Sequence, residues 1–279
     1  MKKLIIFVIM LVTTQVFAQN KSCCDIEATE KFSKLGNEAG FKEKHPDPIT
    51  FIYNDMKGKM ITYDTDDGKT ANAYYIESPN PSNKWLMVFH EWYGLNDYIK
   101  QESDLLQGSL GDVNVIALDL YDGNVATNSD EASKYMQNLD QLRAIDIIEG
   151  AIKYAGENAQ FGTIGWCFGG GWSLNASLIA GKQADACVMY YGMPSDDIEK
   201  LKTLNCPVLG IFAEQDGHIT VEIVEKFKEN MKAADKELTV YMYDAAHAFA
   251  NPSNPKYNAE AREDAMSKTI AFLKENLMK

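Results

Sequence analysis

The sequence predicts an α/β fold, a mainly parallel central sheet flanked by helices on both faces. Three observations carry this. Short apolar runs alternate along the chain with longer segments of helical period, the order that yields parallel strands with covering helices. The run Trp85-Leu86-Met87-Val88-Phe89 is continuously apolar, as a strand buried on both faces must be. No internal repeat, low-complexity tract or second linker interrupts the alternation, so one domain is expected.

The first residues stand apart from that domain. Lys2 and Lys3 precede an apolar run over 4–12, and Val16-Phe17-Ala18 closes the segment. A positive start, a short apolar middle and a small residue at the end describe a secretory signal peptide over 1–18, cleaved after Ala18. An uncleaved anchor is the alternative, but the run falls short of the roughly 18 apolar residues that span a bilayer. Lipid attachment at Cys23 is weaker still, because that cysteine lies away from the apolar run. The protein is therefore expected to be exported, periplasmic or extracellular, with no stable membrane span after cleavage. Residues 19–50 are polar and charged with little apolar periodicity. They are expected to be a mobile leader with one short helix around 26–35, ahead of a folded domain over 51–279.

Within that domain, strands are expected at 59–63 and 72–76, around the turn Asp66-Asp67-Gly68, and at 85–89 and 113–120. Four more follow at 161–165, 184–191, 208–213 and 238–243. Helical patterns cover 97–110, a single long stretch over 129–155, then 169–180, 221–234 and 259–277. In the last, Met266, Ile270, Leu273 and Leu277 recur at helix spacing and would bury one face.

The net charge is −13, or −15 once Lys2 and Lys3 are removed. So acidic a chain is a poor partner for nucleic acid or an anionic membrane. Its only arginines are Arg143 and Arg262, a scarcity that matters because arginine is the usual fork for a carboxylate. Of the five cysteines, Cys187 and Cys206 lie in apolar strand-like runs and are expected as buried thiols, a disulfide between them being the alternative. Cys23-Cys24 in the leader could serve redox chemistry or attachment. The four histidines, His45, His90, His218 and His247, do not cluster at ligand spacing, so no metal site and no cofactor are expected.

The strongest local signal is Gly165-Trp166-Cys167-Phe168-Gly169-Gly170, which closes a short strand and opens a helix. This is the nucleophile elbow of the α/β-hydrolase fold with cysteine in place of serine. A sharp strand-to-helix turn presents the nucleophile on a strained backbone, so positions two residues away must be small. A helix N-terminus also favours the thiolate. The remaining groups occur in the order that fold requires. Asp216 follows the strand at 208–213 beside a turn glycine, and His247 follows the last strand. Cys167, Asp216 and His247 would serve as nucleophile, orienting acid and general base. Glu214 and Asp244 are the rival acids, and His90 is the rival base.

These residues resemble the dienelactone hydrolase family from about residue 56 to the C-terminus. The resemblance rests on the cysteine elbow, on Val88-Phe89-His90-Glu91-Trp92-Tyr93-Gly94-Leu95-Asn96 and on Ala246-His247-Ala248-Phe249. It implies that Glu91 contacts the resting thiol and helps convert it to thiolate. Because like charge raises a thiol pKa, Glu91 would be a gate or proton acceptor, not a static partner. The resemblance also implies an oxyanion hole at the backbone N–H groups of Trp92 and Phe168. The family's carboxylate-binding arginines correspond here to the Asp122-Gly123-Asn124 segment and to Asn251, so the dienelactone itself is a poor candidate substrate. Lys100 and Lys134 are the available replacements, and Tyr93, Trp166 and Phe249, with Trp92, would give a more apolar pocket.

The leading expectation is hydrolysis of a small-molecule ester or lactone through a thioester on Cys167. An exported thiol redox or stress protein using Cys167 and Cys23-Cys24, and a non-catalytic binding module, are the alternatives. A redox thiol has no need of His247, and a binding module tolerates loss of Cys167.

Overall fold

A computed structural model describes residues 26–279; the expected signal peptide and Cys23-Cys24 lie outside these described residues. The strands are β1 (Lys59–Asp64), β2 (Thr70–Ile76), β3 (Lys84–Phe89), β4 (Asn114–Leu118), β5 (Gln160–Trp166), β6 (Ala184–Tyr190), β7 (Val208–Ala213) and β8 (Leu238–Tyr243). They form one sheet in the order β1-β2-β4-β3-β5-β6-β7-β8. β1 and β2 form an antiparallel hairpin, and β2 runs antiparallel to β4. Every other pair is parallel, so the hairpin is an edge appended to a parallel sheet. β4 and β7 are buried along their whole length, which is why they read as uninterrupted apolar runs.

The helices are α1 (Ile26–Leu35), α2 (Ala39–Lys44), α3 (Asp97–Leu110), α4 (Ser129–Gln137) and α5 (Gln141–Ala155), then α6 (Phe168–Ala180), α7 (Ile198–Leu201), α8 (Val221–Ala233) and α9 (Ala259–Asn276). Every residue of α6 except Ile179 is buried, because that helix lies between the sheet and both α1 and α5. Its N-terminus therefore emerges from the centre of the fold, at the C-terminal ends of the parallel strands, where α/β sheets place their ligand sites.

Two expectations are corrected. The stretch over 129–155 is two helices, not one. Asn138 closes α4 through its N–H to the Lys134 carbonyl, and the Asp140 carboxylate accepts from the N–H groups of Leu142 (3.0 Å) and Arg143 (3.3 Å) to open α5. The leader, moreover, is folded from Ile26 onward. α1 has the expected bounds, but it packs on α6 and α4 instead of moving freely, and Phe32 and Phe41 are buried at 2% and 0% exposure. Thr29 Oγ1 donates to Gln141 Oε1 (2.7 Å), and Ser133 Oγ donates to the Gly36 carbonyl (2.7 Å), tying the leader to the two helices beneath it.

Candidate active site

β5 ends at Trp166 and α6 begins at Phe168, so Cys167 alone turns the chain from strand to helix, with φ 56° and ψ −119°. A non-glycine residue in this region costs on the order of 1–3 kcal/mol and persists only where its surroundings impose it. The surroundings here are tight. A Cβ on Gly165 would sit 2.0 Å from the Gly169 carbonyl oxygen, and one on Gly169 would sit 2.4 Å from the Phe89 carbonyl. Cys167 N donates to the Tyr190 carbonyl (3.0 Å) and the Cys167 carbonyl accepts from Gly170 N (3.0 Å), which pins the turn from both sides.

His247 lies in the loop after β8, and Asp216 in the loop after β7. Asp216 Oδ2 is 2.5 Å from His247 Nδ1, while Oδ1 accepts from the N–H groups of His218 (2.8 Å) and Ile219 (3.0 Å). Asp216 and His247 are both buried. The rival acids lie elsewhere: Glu214 and Asp244 are exposed, and Asp244 accepts from Gln215. His90 is also excluded as the base. Its Nδ1 donates to the Glu91 carbonyl (2.6 Å), its Nε2 accepts from Leu120 N (3.2 Å), and burial pulls its pKa down to about 4. It braces the β3 and β4 ends.

The ionisation of the cluster follows from its burial. Desolvation raises the Cys167 thiol above its ordinary range, with His247 opposing, so the resting sulfur is held as a neutral thiol. Burial also penalises charge on Asp216, but His247 and the two N–H donors outweigh it and hold the carboxyl below the usual range. For His247 burial disfavours the cation, yet the Asp216 carboxylate, joined by Cys167 once it ionises, outweighs it and raises its pKa. His247 Nε2 is buried without a hydrogen-bond partner and lies within 4.8 Å of Cys167 Sγ.

Glu91 follows β3 and is buried. The structure joins it to Asn251, whose Nδ2 donates to Glu91 Oε2, and the pairs among the described residues include no hydrogen bond from Glu91 to the thiol. Glu91 Oε1 is buried with no partner, and desolvation lifts the carboxyl to about 7. Phe168 is the first residue of α6, and its N–H favours the thiolate of Cys167. Trp92 packs its ring against Phe41 (5.2 Å between centroids) and His45 (5.0 Å). Tyr93 donates its hydroxyl to the Pro46 carbonyl (2.6 Å). Trp166 packs on Tyr190 (5.6 Å) and lines a cavity shared with Glu91, Glu102 and Tyr191. Phe249 is fully buried between Tyr191 and Tyr243, and is not among the residues lining either cavity beside the thiol.

Sequence reasoning missed His45. It ends α2, stacks on Phe41 with ring centroids 4.0 Å apart, and places Nε2 4.0 Å from Cys167 Sγ. Its ring centroid is 4.9 Å from that of His247, so histidines 202 positions apart do meet, and the inference that they do not cluster is corrected. The one available signal was Phe41, a lone aromatic one helical turn before His45. The cavity at the thiol, lined by His45, Pro46, Trp92 and Tyr93 among others, holds about 10 Å³. That is roughly the space one water needs. The leader therefore covers the thiol.

The arginine question also resolves. Arg143, on α5, makes a two-pronged contact with Asp122 (Nε–Oδ2 3.0 Å, Nη2–Oδ1 2.7 Å) and reaches Asp67 and Thr65. Asp122 is thus neutralised structurally and is not a free anion in the pocket. Arg262 pairs with Glu102 (2.6 Å), Lys100 pairs with Asp97 (2.8 Å), and Lys134 is exposed on α4. Cys187 and Cys206 are free buried thiols, with no bridge between them.

The profile of the dienelactone hydrolase family matches residues 71–277. The chain belongs to that family. It is a hydrolase of the α/β-hydrolase fold. The chain is 27% identical over 237 residues to Protein usf of Aquifex pyrophilus, covering 79% of this chain and 99% of that one. It is 23% identical over 220 residues to Carboxymethylenebutenolidase 1 of Cupriavidus pinatubonensis, covering 74% and 92%. Among solved structures, a dienelactone hydrolase-like promiscuous phosphotriesterase from metagenomic libraries superposes with a TM-score of 0.67 at 18% identity, covering 79% of this chain and 99% of that one. A Pyrococcus furiosus esterase does so at 0.61 and 16%, covering 83% and 99%. At these identities the structures speak for the fold.

Proposed function

We propose that this dienelactone hydrolase family member cleaves small, uncharged esters or lactones through a thioester on Cys167, with His247 as base and Asp216 as its orienting acid. One observation carries the reading. Cys167 stands at positive φ on a helix N-terminus, and the free nitrogen of an imidazole whose other nitrogen is held by a buried carboxylate lies within 4.8 Å of its sulfur.

In this reading His247 Nε2 takes the thiol proton as Sγ attacks the carbonyl carbon. The oxyanion accepts hydrogen bonds from the Trp92 and Phe168 N–H groups. Collapse expels the alkoxide, which takes the proton from His247 and leaves the thioester. Water, deprotonated by His247, then attacks the thioester carbon, and Cys167 departs as thiol with the acid released. Glu91 keeps the resting site quiet: a carboxylate there raises the thiol pKa, and the hydrogen bond from Asn251 holds it beside the sulfur without a bond to it. The substrate is assigned as uncharged because both arginines are engaged with carboxylates, and Glu91 and Glu102 line the adjoining cavity. Its entry requires the His45–Pro46 segment to move, since the cavity is too small as it stands. We also propose export, on the strength of the signal-like residues 1–18; N-terminal sequencing of protein recovered outside the cytoplasm should begin at Gln19.

The test is p-nitrophenyl acetate hydrolysis by wild type, Cys167→Ala and His247→Ala, with mass spectrometry of the Cys167 peptide after a short reaction. Loss of turnover in both variants and an acetyl adduct on Cys167 are expected. A Cys167→Ala protein as fast as wild type would end the proposal. Retained function without His247 would favour a redox thiol.

A further inference from the structure

We propose that His45, Cys167 and His247 form a binding site for a borderline-soft divalent cation of the zinc class, with the leader supplying one of its three ligands. The ligand atoms, two imidazole nitrogens and one sulfur, all lie within 4.8 Å of one another, and all three side chains are buried. Zn–N and Zn–S bonds of about 2.0–2.3 Å set the ligand atoms of a tetrahedral centre about 3.3–3.6 Å apart. The Sγ–Nε2 distance to His45, 4.0 Å, needs to close by about half an ångström, and the widest separation, within 4.8 Å, by roughly 1.2–1.5 Å.

The two histidines are held as metal ligands are held. His45 Nδ1 is 2.7 Å from the Phe41 carbonyl, an acceptor, so Nδ1 carries the proton and Nε2 presents its lone pair. His247 Nδ1 is likewise committed to Asp216, leaving Nε2 free, buried and unpartnered beside the sulfur. A carboxylate or backbone carbonyl on the far nitrogen fixes the tautomer and the ring orientation, and raises ligand basicity. The Glu91 carboxyl lines the same cavity.

Two imidazoles and one thiolate suit zinc better than magnesium or calcium, which take oxygen ligands. Three protein ligands leave a fourth position for water. On binding, Cys167 and, where it is the imidazolium, His247 each give up a proton to solvent, the metal bonds to Sγ and to both Nε2 atoms, and no other bond changes. A cation so placed occupies the sulfur of the proposed nucleophile and the nitrogen of the proposed base, so loaded protein cannot form the thioester. That last consequence rests on the thiol-hydrolase reading; the site itself does not.

The experiment is a Co²⁺ titration of reduced, chelator-treated protein, followed by absorption, with Zn²⁺ added as competitor. A thiolate-to-cobalt charge-transfer band with intense tetrahedral visible bands is expected, saturating at one equivalent and erased by Zn²⁺. Cys167→Ser should remove the charge-transfer band. His45→Ala and His45→Gln should each weaken binding at least about 10- to 100-fold, the loss seen when only a supporting contact is removed. No band with wild type, or His45 variants that bind as tightly, overturns the inference. Hydrolysis by the metal-free protein is measured separately. Its absence would sink the hydrolase reading while the cobalt spectrum still decides the site. Metal-free hydrolysis that one equivalent of Zn²⁺ leaves untouched overturns the inference alone.

Discussion

The leader's grip on the thiol is tested by Phe41→Ala. Phe41 is fully buried, stacks on His45, and meets the rings of Phe32, Trp92 and His218 at 5.8, 5.2 and 5.0 Å. Truncating a core phenylalanine costs about 3–5 kcal/mol. Because a short surface segment can settle into the space left behind, about 2–3 kcal/mol of that should fall on leader opening. At about 1.4 kcal/mol per decade, the open population rises roughly 30- to 150-fold. Where opening equilibrates faster than modification, iodoacetamide should label Cys167 faster by that factor, because the rate follows the open population. Labelling is read from the mass of the Cys167 peptide over time, with Cys187 in the sheet core as internal reference. An unchanged Cys167 rate, with the leader shown by limited proteolysis to be released, would refute the idea that it shields the thiol. Labelling of Cys187 rising in step would refute local opening.

Asp216→Asn should preserve the melting temperature, since Asn Oδ1 can still accept from His218 and Ile219, yet cost about 10²–10⁴-fold in kcat/KM on p-nitrophenyl acetate by presenting the wrong partner to His247 Nδ1. Glu91→Gln removes a charge that raises the Cys167 pKa. The midpoint of the pH profile for Cys167 alkylation should therefore move down, and a midpoint that stays or rises counts against Glu91 as the restraint on the thiol. Arg143→Met leaves Asp122 and Asp67 unpaired but partly in solvent, and should cost about 1–3 kcal/mol, lowering the melting temperature by about 3–8 °C in a thermal melt, with kcat/KM little altered because the network lies away from the sulfur.

What the sequence disclosed and what it withheld divide along a physical line. The elbow was legible because its pattern is local: Gly165 is small because a Cβ there would strike the Gly169 carbonyl, Gly169 because one there would strike the Phe89 carbonyl, and both stand two positions from Cys167. The sheet was legible because burial on both faces forces uninterrupted apolar runs, as in β4 and β7. Asp216 and His247 could be assigned only through their places after β7 and β8; in the structure Asp216 Oδ2 lies 2.5 Å from His247 Nδ1. The break between α4 and α5 was written in Asn138 and Asp140, but the apolar period running through it hid the caps.

The leader was misread for a different reason. α1 buries Ala28, Thr29, Phe32 and Ser33, a face in which two of four residues are hydroxylic, so polarity suggested solvent where there is packing. Thr29 bonds to Gln141, 112 positions away, as well as to the Ile26 carbonyl in its own turn, and Asp122 pairs with Arg143 on the following helix but one. Local patterns carry no trace of such partners, because a polar group looks the same in sequence whether water or a distant side chain satisfies it. The consequence falls directly on the site. His45 reaches Cys167 across 122 positions through a helix anchored by one aromatic ring, so the residue controlling access to the thiol lies in the stretch that composition marks as expendable. A truncation beginning at residue 51 would keep the whole sheet and the Cys167–His247–Asp216 cluster. It would nevertheless describe a different enzyme, one with its sulfur open to solvent.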